Sequence, residues 1–309
     1  MIQELTRGYV QTRVFMDTPV VIELSAPEHD EEALAERTGR AFDWFAEVER
    51  RCSRFDEASE LRSLTRRIGE RVSVSTLLFN ALHLSLEVAH LTNGALDPTV
   101  SRAMEQSGFN TNYLTGEQVT SPFFAHSSGT YRNIILDEHA RTVTLTRPLW
   151  LDLGAVAKGL AIDLAAQELS GLPGFVVNAG GDIVARGFNP DGEPWRIGIR
   201  HPRRHAELIT SLSITNAAVC TSGDYERPQI AGDGHHILNP IIGSSAVAAV
   251  SVTIVAPTAV VADALSTAVF VLGSEAGVDL LKREGVDGLI VSPDLEVIAT
   301  PGMENYKSR

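Results

Sequence analysis

Amphipathic patterns in the first third of the chain predict two long helices. Apolar side chains recur at helical spacing in residues 30–51 and again in residues 77–91, so one face of each helix should pack into a core. Asn93-Gly94 follows the second run and is typical of a helix end. A β-branched run at residues 20–24 predicts an early strand. The core contacts expected from the first helix are Leu34, Phe42, Phe45 and Val48.

Short β-branched runs dominate the second half of the chain and are interrupted by three helical patterns. Several of these runs are close enough along the chain to form hairpins, so we predict an α+β fold with largely antiparallel sheets and packed helices. The polar stretch 106–132 is expected to be irregular. The predicted strands cover 133–136, 142–145, 149–153, 175–178, 195–200, 208–214, 250–255, 289–292 and 296–300, and the predicted helices cover 155–170, 259–272 and 275–283.

Composition narrows the classes of function. The 309 residues carry a formal net charge of -13, which argues against broad binding to nucleic acid phosphates and against electrostatic docking on an anionic membrane. The uncharged run 246–262 contains Pro257 and several Ser and Thr residues, which argues against a transmembrane segment. Because no repeat or low-complexity linker interrupts the chain, we treat residues 1–309 as a single domain.

Cysteine usage and the first residues bear on the compartment. Cys52 and Cys220 lack C-x-x-C spacing, so two buried, reduced thiols are favoured over a metal site or a disulfide framework. The start of the chain shows no basic region followed by an apolar stretch, and no lipid-accepting Cys. A cytoplasmic location is therefore expected. The alternative is an exported protein whose signal has been removed.

The most specific chemical hint is the pair Asp263 and Thr267. The pair follows the apolar run 250–255 and lies in a predicted helix, where residues four apart share one face. A carboxylate and a hydroxyl on one face form the ligand set of a hard cation such as Mg²⁺. A buried helix cap is the alternative interpretation of the same pair.

A second constellation runs from Asp152 to Lys158. The predicted strand at 149–153 ends at Asp152, and Gly154 permits a sharp turn into a helix. A helix N-terminus offers free N–H groups to an anion, and Lys158 would add a positive charge one turn later. An ordinary strand-to-helix junction with a solvated lysine explains the spacing equally well.

Three further motifs are ambiguous on spacing alone. The segment 178–182 contains two consecutive glycines, and a plain hairpin turn is the favoured interpretation. The segment 221–225 is a polar turn in which no base can be assigned to a serine nucleophile. His235 and His236 are adjacent, so on a strand at most one of them should enter a given site. Histidine is the side chain best suited to general-base chemistry near neutral pH.

Taken in chain order together with Met16-Asp17-Thr18, Ser53-Arg54-Phe55 and the segment 94–100, these motifs resemble those of the FAD:protein FMN transferase family, also called ApbE, over residues 14 to 300. Each motif is weak alone, and their consistent order makes the resemblance strong. The residues that carry it are Met16-Asp17-Thr18, Ser53-Arg54-Phe55, the segment 94–100, the segment 152–159, the segment 178–182, the segment 221–225, the segment 236–240 and the segment 262–267.

The resemblance implies a T-fold-like α+β structure, with FAD as substrate and Mg²⁺ as cofactor. Members of the family move the FMN part of FAD onto a threonine hydroxyl of a target protein and release AMP. His236 is then the candidate base, and the Ala155 carbonyl, Asp263 and Thr267 would hold Mg²⁺, with Ser266 as an additional ligand. The residues implied to contact FAD are Met16, Phe55, Ala95, Leu96, Asp97, Asp152, Lys158 and Ile237.

The chain departs from the family pattern after His236. The family's Asp-Pro-Arg/Lys-Thr-Gly is replaced by Asn239-Pro240-Ile241-Ile242-Gly243, so a carboxylate, a cation and a hydroxyl are lost together. Asp17 also stands where Gly is usual, and Phe55 where Tyr is common. The altered segment keeps open the alternative of an FAD-binding protein without turnover. A second alternative is an FAD pyrophosphatase that yields FMN and AMP, because the same metal site would serve both reactions.

Overall fold

The computed structural model describes residues 6–27, 31–121, 129–204, 206–226 and 234–308. The strands are β1 (Thr6–Phe15), β2 (Thr18–Pro27), β3 (Val72–Ser73), β4 (Ile134–Asp137), β5 (Thr142–Leu145), β6 (Gly174–Ala179), β7 (Asp182–Gly187), β8 (Trp195–Arg200), β9 (Leu208–Ile214), β10 (Asn216–Gly223), β11 (Leu238–Asn239), β12 (Ser244–Ser245), β13 (Ser251–Ala256), β14 (Asp287–Val291) and β15 (Val297–Ala299). The α-helices are α1 (Glu31–Cys52), α2 (Glu60–Thr65), α3 (Thr76–Leu91), α4 (Ser101–Gln106), α5 (Gly154–Glu168), α6 (Ala259–Leu272) and α7 (Ser274–Glu284), with 3₁₀ helices at Tyr131–Asn133 and Pro301–Tyr306.

An eight-stranded sheet in the order β1-β2-β6-β7-β10-β13-β14-β15 forms the centre of the fold. Every neighbouring pair in it is antiparallel. Smaller sheets are formed by β3-β5-β4, by β8-β9 and by β11-β12. This architecture confirms the predicted α+β class with largely antiparallel sheets.

Both faces of the central sheet are covered, and the alternation along its strands assigns each side chain to one of two cores. Cys220 and Ile254 point into the larger core, together with the helices α1, α3, α5 and α6. Their chain neighbours Val219 and Val255 point into a smaller core beneath β8 and β9. Because successive side chains of a strand face opposite sides, β13 is buried along its whole length.

The two long predicted helices are confirmed as α1 and α3. The four predicted core contacts of α1 are all buried. The predicted strand at residues 149–153 is wrong, because that segment has no strand structure. Its apolar side chains are buried, but the Asp152 N–H donates to the Pro98 carbonyl of a loop at 2.7 Å rather than to a neighbouring strand. An apolar run can thus be buried without a ladder partner.

Helix length and polarity also address the possibility of a membrane span. None of the helices in the described ranges is both long enough and apolar enough to cross a bilayer.

Candidate active site

A cavity of about 1590 Å³ opens where the β1–β2 turn, the N-terminus of α5, the middle of α6 and the β11–β12 hairpin converge. This exceeds the roughly 300–1,000 Å³ typical of small-molecule sites, so it can hold a ligand as large as a dinucleotide. Of the site residues predicted from sequence, only Ser266 does not line it. Those on the cavity wall are Met16, Phe55, Ala95, Leu96, Asp97, Asp152, Ala155, Lys158, His236, Ile237, Asp263 and Thr267.

The close approach of α5 and α6 brings the two predicted halves of the cation site together. The Gly159 N–H of α5 donates to Asp263 Oδ2 of α6 at 3.0 Å. A Cβ at Gly159 would lie 2.5 Å from the Cα of Val260, so only glycine permits this approach. The sequence spacing could not reveal this contact, because the two residues are more than a hundred positions apart.

A reciprocal contact fixes the start of α6. Asp163, one turn further along α5, accepts hydrogen bonds from the N–H groups of Ala259 and Val260 at 2.8 and 2.9 Å. These are among the N–H groups that a helix start leaves without intrahelical partners. The carboxylates of Asp163 and Asp263 therefore hold the two helices in register from opposite sides of their interface.

Three charged groups meet at the cavity wall between α5, α6 and β7, and two of them, Lys158 and Asp263, line the cavity. Lys158 forms an ion pair with Asp182, a side chain that is 2% exposed. Burial lowers the pKa of Lys158, but the charges of Asp182 and Asp263 outweigh that effect and the net pKa is raised. Burial raises the pKa of Asp263 to about 7, although the Lys158 charge acts in the opposite direction. Asp263 is therefore a buried carboxylate whose charge is incompletely compensated.

Three hydroxyl groups of β10 and α6 form a hydrogen-bonded network next to Asp263 along α6. Ser222 Oγ of β10 lies 2.8 Å from Ser266 Oγ and 3.2 Å from Thr267 Oγ1. Ser266 also donates to the Asp263 carbonyl at 2.9 Å and is fully buried. Thr267 thus presents its hydroxyl at the cavity wall, whereas Ser266 lies behind it in a hydrogen-bonded pair with Ser222.

The Ala155 carbonyl lies in the first turn of α5. Helix geometry pairs this carbonyl with the Gly159 N–H, and the same N–H also donates to Asp263. Ala155, Asp263 and Thr267 line the same cavity, and carbonyl, carboxylate and hydroxyl oxygens are the donors that a hard cation prefers. The described residues contain no group of three or more His, Cys, Asp and Glu side chains that could hold a metal. A cation here would therefore rely on one carboxylate with hydroxyl and carbonyl oxygens.

Asp152 and Arg54 connect the α5 N-terminus to the opposite wall. Asp152 Oδ1 accepts from the Gly154 N–H at 2.6 Å, and Oδ2 lies 2.5 Å from Arg54 Nε. The Arg54 guanidinium, which is 5% exposed, also donates to the Phe109 carbonyl and covers the Phe55 ring at 4.1 Å. Both oxygens of Asp152 are thus engaged in holding the wall together.

Asp97 is likewise engaged in local structure. Its Oδ1 accepts from the Thr99 N–H and hydroxyl at 2.9 and 2.8 Å, and its Oδ2 accepts from the Tyr131 N–H at 3.2 Å. Burial raises its pKa, and these hydrogen bonds partly offset that rise. Asp97 fixes the loop on which the buried, cavity-lining Ala95 and Leu96 lie.

The β1–β2 turn reaches the cavity in a conformation that is unfavourable for its residues. Met16 and Asp17 have φ values of 50° and 58°, the left-handed region that type I′ hairpin turns require. Glu49 of α1 accepts from the Met16 N–H at 3.1 Å and from the Tyr113 hydroxyl at 2.7 Å. Burial and this hydrogen bond raise the pKa of Tyr113 to about 12. The turn is therefore held in place by α1.

The two adjacent histidines differ in environment. His235 is buried, with Nε2 2.8 Å from the Ala246 carbonyl and Nδ1 accepting from the Ile237 N–H at 3.2 Å. Burial lowers its pKa, so it is a neutral structural residue. His236 lines the cavity and meets the Phe109 ring edge to face at 6.4 Å.

Sequence reasoning missed three residues at this site. Arg54 appeared only as part of a motif, Asp182 was interpreted as the end of a hairpin turn, and Ser222 as part of a polar turn. The turn itself is present, with Gly180 and Gly181 at φ values of 63° and 100°. The available signal was a carboxylate directly before the apolar residues 183–185, where an unpaired charge would be costly.

Comparison with known proteins gives this geometry its context. The sequence profile of the ApbE family matches residues 16–290. The chain belongs to the ApbE family. It is similar to the FAD:protein FMN transferase of Vibrio cholerae, with 30% identity over 85% of this chain and 79% of that protein. It is also similar to the enzyme of the same name from Haemophilus influenzae, with 28% identity over 78% and 73% of the two chains.

Solved structures of the ApbE family agree with this placement. The ApbE protein of Thermotoga maritima superposes with a TM-score of 0.85 and 30% identity, covering 98% of this chain and all of that one. The flavin transferase ApbE from Vibrio cholerae gives a TM-score of 0.83 at 25% identity, covering 97% and 99% of the two chains. The family and the ApbE-like fold predicted from sequence are confirmed.

Proposed function

We propose that this chain is an FAD:protein FMN transferase, which moves the FMN part of FAD onto a threonine hydroxyl of a target protein and releases AMP. One observation carries the proposal. Asp263 and Thr267 line the same large cavity as the N-terminus of α5 and Lys158, whose ammonium group is paired with the buried Asp182. A dinucleotide diphosphate requires this combination of positive potential and a cation site.

The cation that fits is Mg²⁺, held by the Ala155 carbonyl, Asp263 and Thr267. The raised pKa of Asp263 supports this assignment, because a bound cation would supply the compensating charge that this buried carboxylate lacks. When bound, Mg²⁺ would offset the negative charge that develops on the diphosphate. Ser266 acts behind these ligands by orienting the hydroxyl network through Ser222.

The opposite wall provides a site for the flavin. The side chains of Met16, Phe55 and Leu96 supply apolar surface, and aromatic rings stack favourably on a flat heterocycle. Arg54 and Asp152 keep this wall in place and join it to the start of α5. FAD would then lie with its ring system near Phe55 and its diphosphate near Lys158.

The chain's own residues then account for the transfer step. The threonine oxygen of the target attacks the FMN-side phosphorus, the bond from that phosphorus to the bridging oxygen breaks, and AMP leaves with the bridging oxygen. His236 accepts the proton of the threonine hydroxyl. Lys158, held by Asp182, keeps a fixed positive charge beside the diphosphate. Such a reaction depends on positioning and electrostatics more than on covalent catalysis by the protein.

Incubation of the protein with FAD, Mg²⁺ and a flavin-accepting target tests the proposal. Transfer predicts flavin fluorescence that remains on the target after denaturation, together with one AMP released per flavin attached. FMN and AMP free in solution would identify a pyrophosphatase instead, and unchanged FAD would identify a binding protein. A target whose acceptor Thr is replaced by Val is the matched control and should remain unlabelled.

A further inference from the structure

The hairpin that carries His236 presents an unusual amount of apolar surface to solvent. Strand β11 pairs with β12, Leu238 opposite Ser245 and Asn239 opposite Ser244. At its tip, Ile241 is 81% exposed and Ile242 is 64% exposed, and just after β12 Val247 is 79% exposed. Contiguous apolar patches on a protein surface commonly mark interaction sites.

Register places this surface beside the candidate base. The Ala246 N–H donates to the Ile237 carbonyl at 2.9 Å, which continues the β11–β12 register by one residue. Val247 and His236 directly adjoin this hydrogen-bonded pair along the chain, so the exposed Val247 lies at the same end of the hairpin as the candidate base. His236, Leu238 and Pro240 line the cavity. The exposed apolar side chains thus belong to the element that forms one edge of the reaction cavity.

The tip is also held in one conformation. Asn239 Oδ1 accepts from the Ile241 N–H at 3.0 Å, and the Asn239 carbonyl accepts from the Gly243 N–H at 2.9 Å. Gly243 has a φ of 68°, which suits glycine at the end of such a turn. The two isoleucines are therefore preorganised, and a partner could bind them with little loss of loop conformational entropy.

The chemistry of the segment points to an apolar partner. From residue 234 to residue 250 the sequence contains no Asp, Glu, Lys or Arg, so an interface here cannot depend on ion pairs from this hairpin. Membrane binding by an exposed apolar element normally also needs basic residues, and the chain has a net charge of -13. A protein surface with complementary apolar side chains fits these facts better than a lipid surface.

We propose that Ile241, Ile242 and Val247 form the docking surface for the flavin-accepting protein, and that they select acceptors with apolar residues next to the acceptor threonine. This inference rests on the proposed function, which requires a protein to reach the cavity edge formed by this hairpin. It assigns acceptor selection to a surface that is separate from the FAD and cation contacts.

The test uses the full chain with FAD, Mg²⁺ and three threonine peptides that differ only in flanking residues, which are leucine, serine or glutamate. Wild-type protein should label the leucine peptide with a kcat/KM at least about tenfold above that of the serine peptide, the size of effect that a buried apolar contact provides. The preference should persist at high salt. In the double variant Ile241→Ser/Ile242→Ser, the KM for the leucine peptide should rise until the preference for it is lost. The dissociation constant for FAD should stay at the wild-type value.

Ile135→Ser is the matched control, because Ile135 is 54% exposed and does not line the cavity; its peptide preference should equal that of wild type. Equal labelling of all three peptides, a preference for glutamate, or weakened FAD binding in the double variant would overturn the docking surface. The docking surface would also be overturned, in favour of membrane binding, if wild-type protein bound phosphatidylcholine vesicles and the double variant did not. Failure to label any peptide while FAD is bound would instead contradict the proposed function.

Discussion

The α5–α6 junction and the β11–β12 hairpin line the same cavity, but they differ in the polarity and burial of their side chains. At the junction, charged and polar groups are buried and tied to one another, as in Lys158 with Asp182 and Asp263 with the Gly159 N–H. At the hairpin, the segment lacks formal charge and exposes Ile241 and Ile242. A buried polar cluster fixes geometry because each group is costly to leave unpaired. An exposed apolar tip costs the fold little and is free to serve a partner.

Removing the Asp263 carboxylate should have the largest effect. We expect Asp263→Ala to reduce Mg²⁺-dependent flavin transfer by about a thousandfold, since a cation at a phosphoryl group contributes several kcal/mol to the transition state. The measurement is the rate of flavin attachment across a MgCl₂ titration. Asp279→Ala, which removes a carboxylate from α7 outside the cavity lining, is the control. Full activity in Asp263→Ala would contradict the assignment of the cation site to Asp263.

The pH dependence of Mg²⁺ binding should distinguish the junction from an ordinary surface carboxylate. The pKa of Asp263 is about 7 in the fold, above the value of about 3.9 in an unfolded chain. Its contribution to the stability of the metal-free protein is therefore complete below about pH 4 and is lost as pH rises through about 7. Because Mg²⁺ needs the ionised form, its affinity should rise by about tenfold per pH unit up to about pH 7 and then level off.

Calorimetric titrations of MgCl₂ from about pH 5 to about pH 8 would measure this profile. Asp263→Asn is the matched variant, because it cannot ionise and should bind weakly at every pH. A flat profile in the wild-type protein would contradict the assignment of Asp263 as the ligand that titrates.

Breaking the Lys158–Asp182 pair should destabilise the junction. Removing one partner of a fully buried pair costs about 3–5 kcal/mol. The side chain of Lys158 is 31% exposed, so solvent screening reduces the expected cost of Lys158→Met to about 2 kcal/mol. Urea denaturation of Lys158→Met, Asp182→Asn and the double variant measures the coupling. The double variant should be more stable than the sum of the single effects predicts, and strict additivity would show that the pair does not interact.

At the hairpin, acidification should have the effect opposite to that at Asp263. Burial lowers the pKa of His235 from its usual value of about 6.5. Its contribution to stability is present above that value and is lost as pH falls through the folded-state pKa, with a slope of at most about 1.4 kcal/mol per pH unit. Unfolding free energies of wild type and His235→Gln, measured from about pH 7 to about pH 5, should therefore converge as pH falls. A constant difference would mean that His235 does not titrate.

The smallest effect should come from the hairpin tip. Since Ile241 and Ile242 are largely exposed, Ile241→Ser/Ile242→Ser should change the unfolding free energy by less than about 0.5 kcal/mol. Thermal and urea denaturation check this. A loss comparable to that of Lys158→Met would mean that the tip supports the fold, and the contrast between the two regions would disappear.

Strong local periodicity made much of the fold predictable. The helix at 259–272 and the strands at 142–145, 195–200 and 208–214 were predicted with the observed limits. Strand β10 was missed because its Asn, Ala and Gly residues have low β propensity; its neighbours β7 and β13 hold it in the sheet. Strand β7 was missed because its apolar run covers only residues 183–185 and directly follows a glycine turn.

For the site, the pair Asp263 and Thr267 was predictable from sequence because both residues lie on one short helix with a fixed period of 3.6 residues. The roles of Arg54 and Asp182 were not, since each depends on a partner that is distant along the chain. The exposure of Ile241 and Ile242 likewise follows from a turn closed by Asn239, whereas their composition alone would predict burial.

The sequence by itself therefore determined the family, the class of fold and the oxygen donors available to a cation, because these depend on residue types and short spacings. Only the tertiary structure decided which carboxylates are paired, which histidine lines the cavity and which apolar side chains face solvent. Pairing and exposure depend on which segments meet in space, and in this chain the decisive contacts join α5 to α6 and β6–β7 to α5. Such contacts cannot be predicted from a local sequence pattern, because they join segments that are distant along the chain.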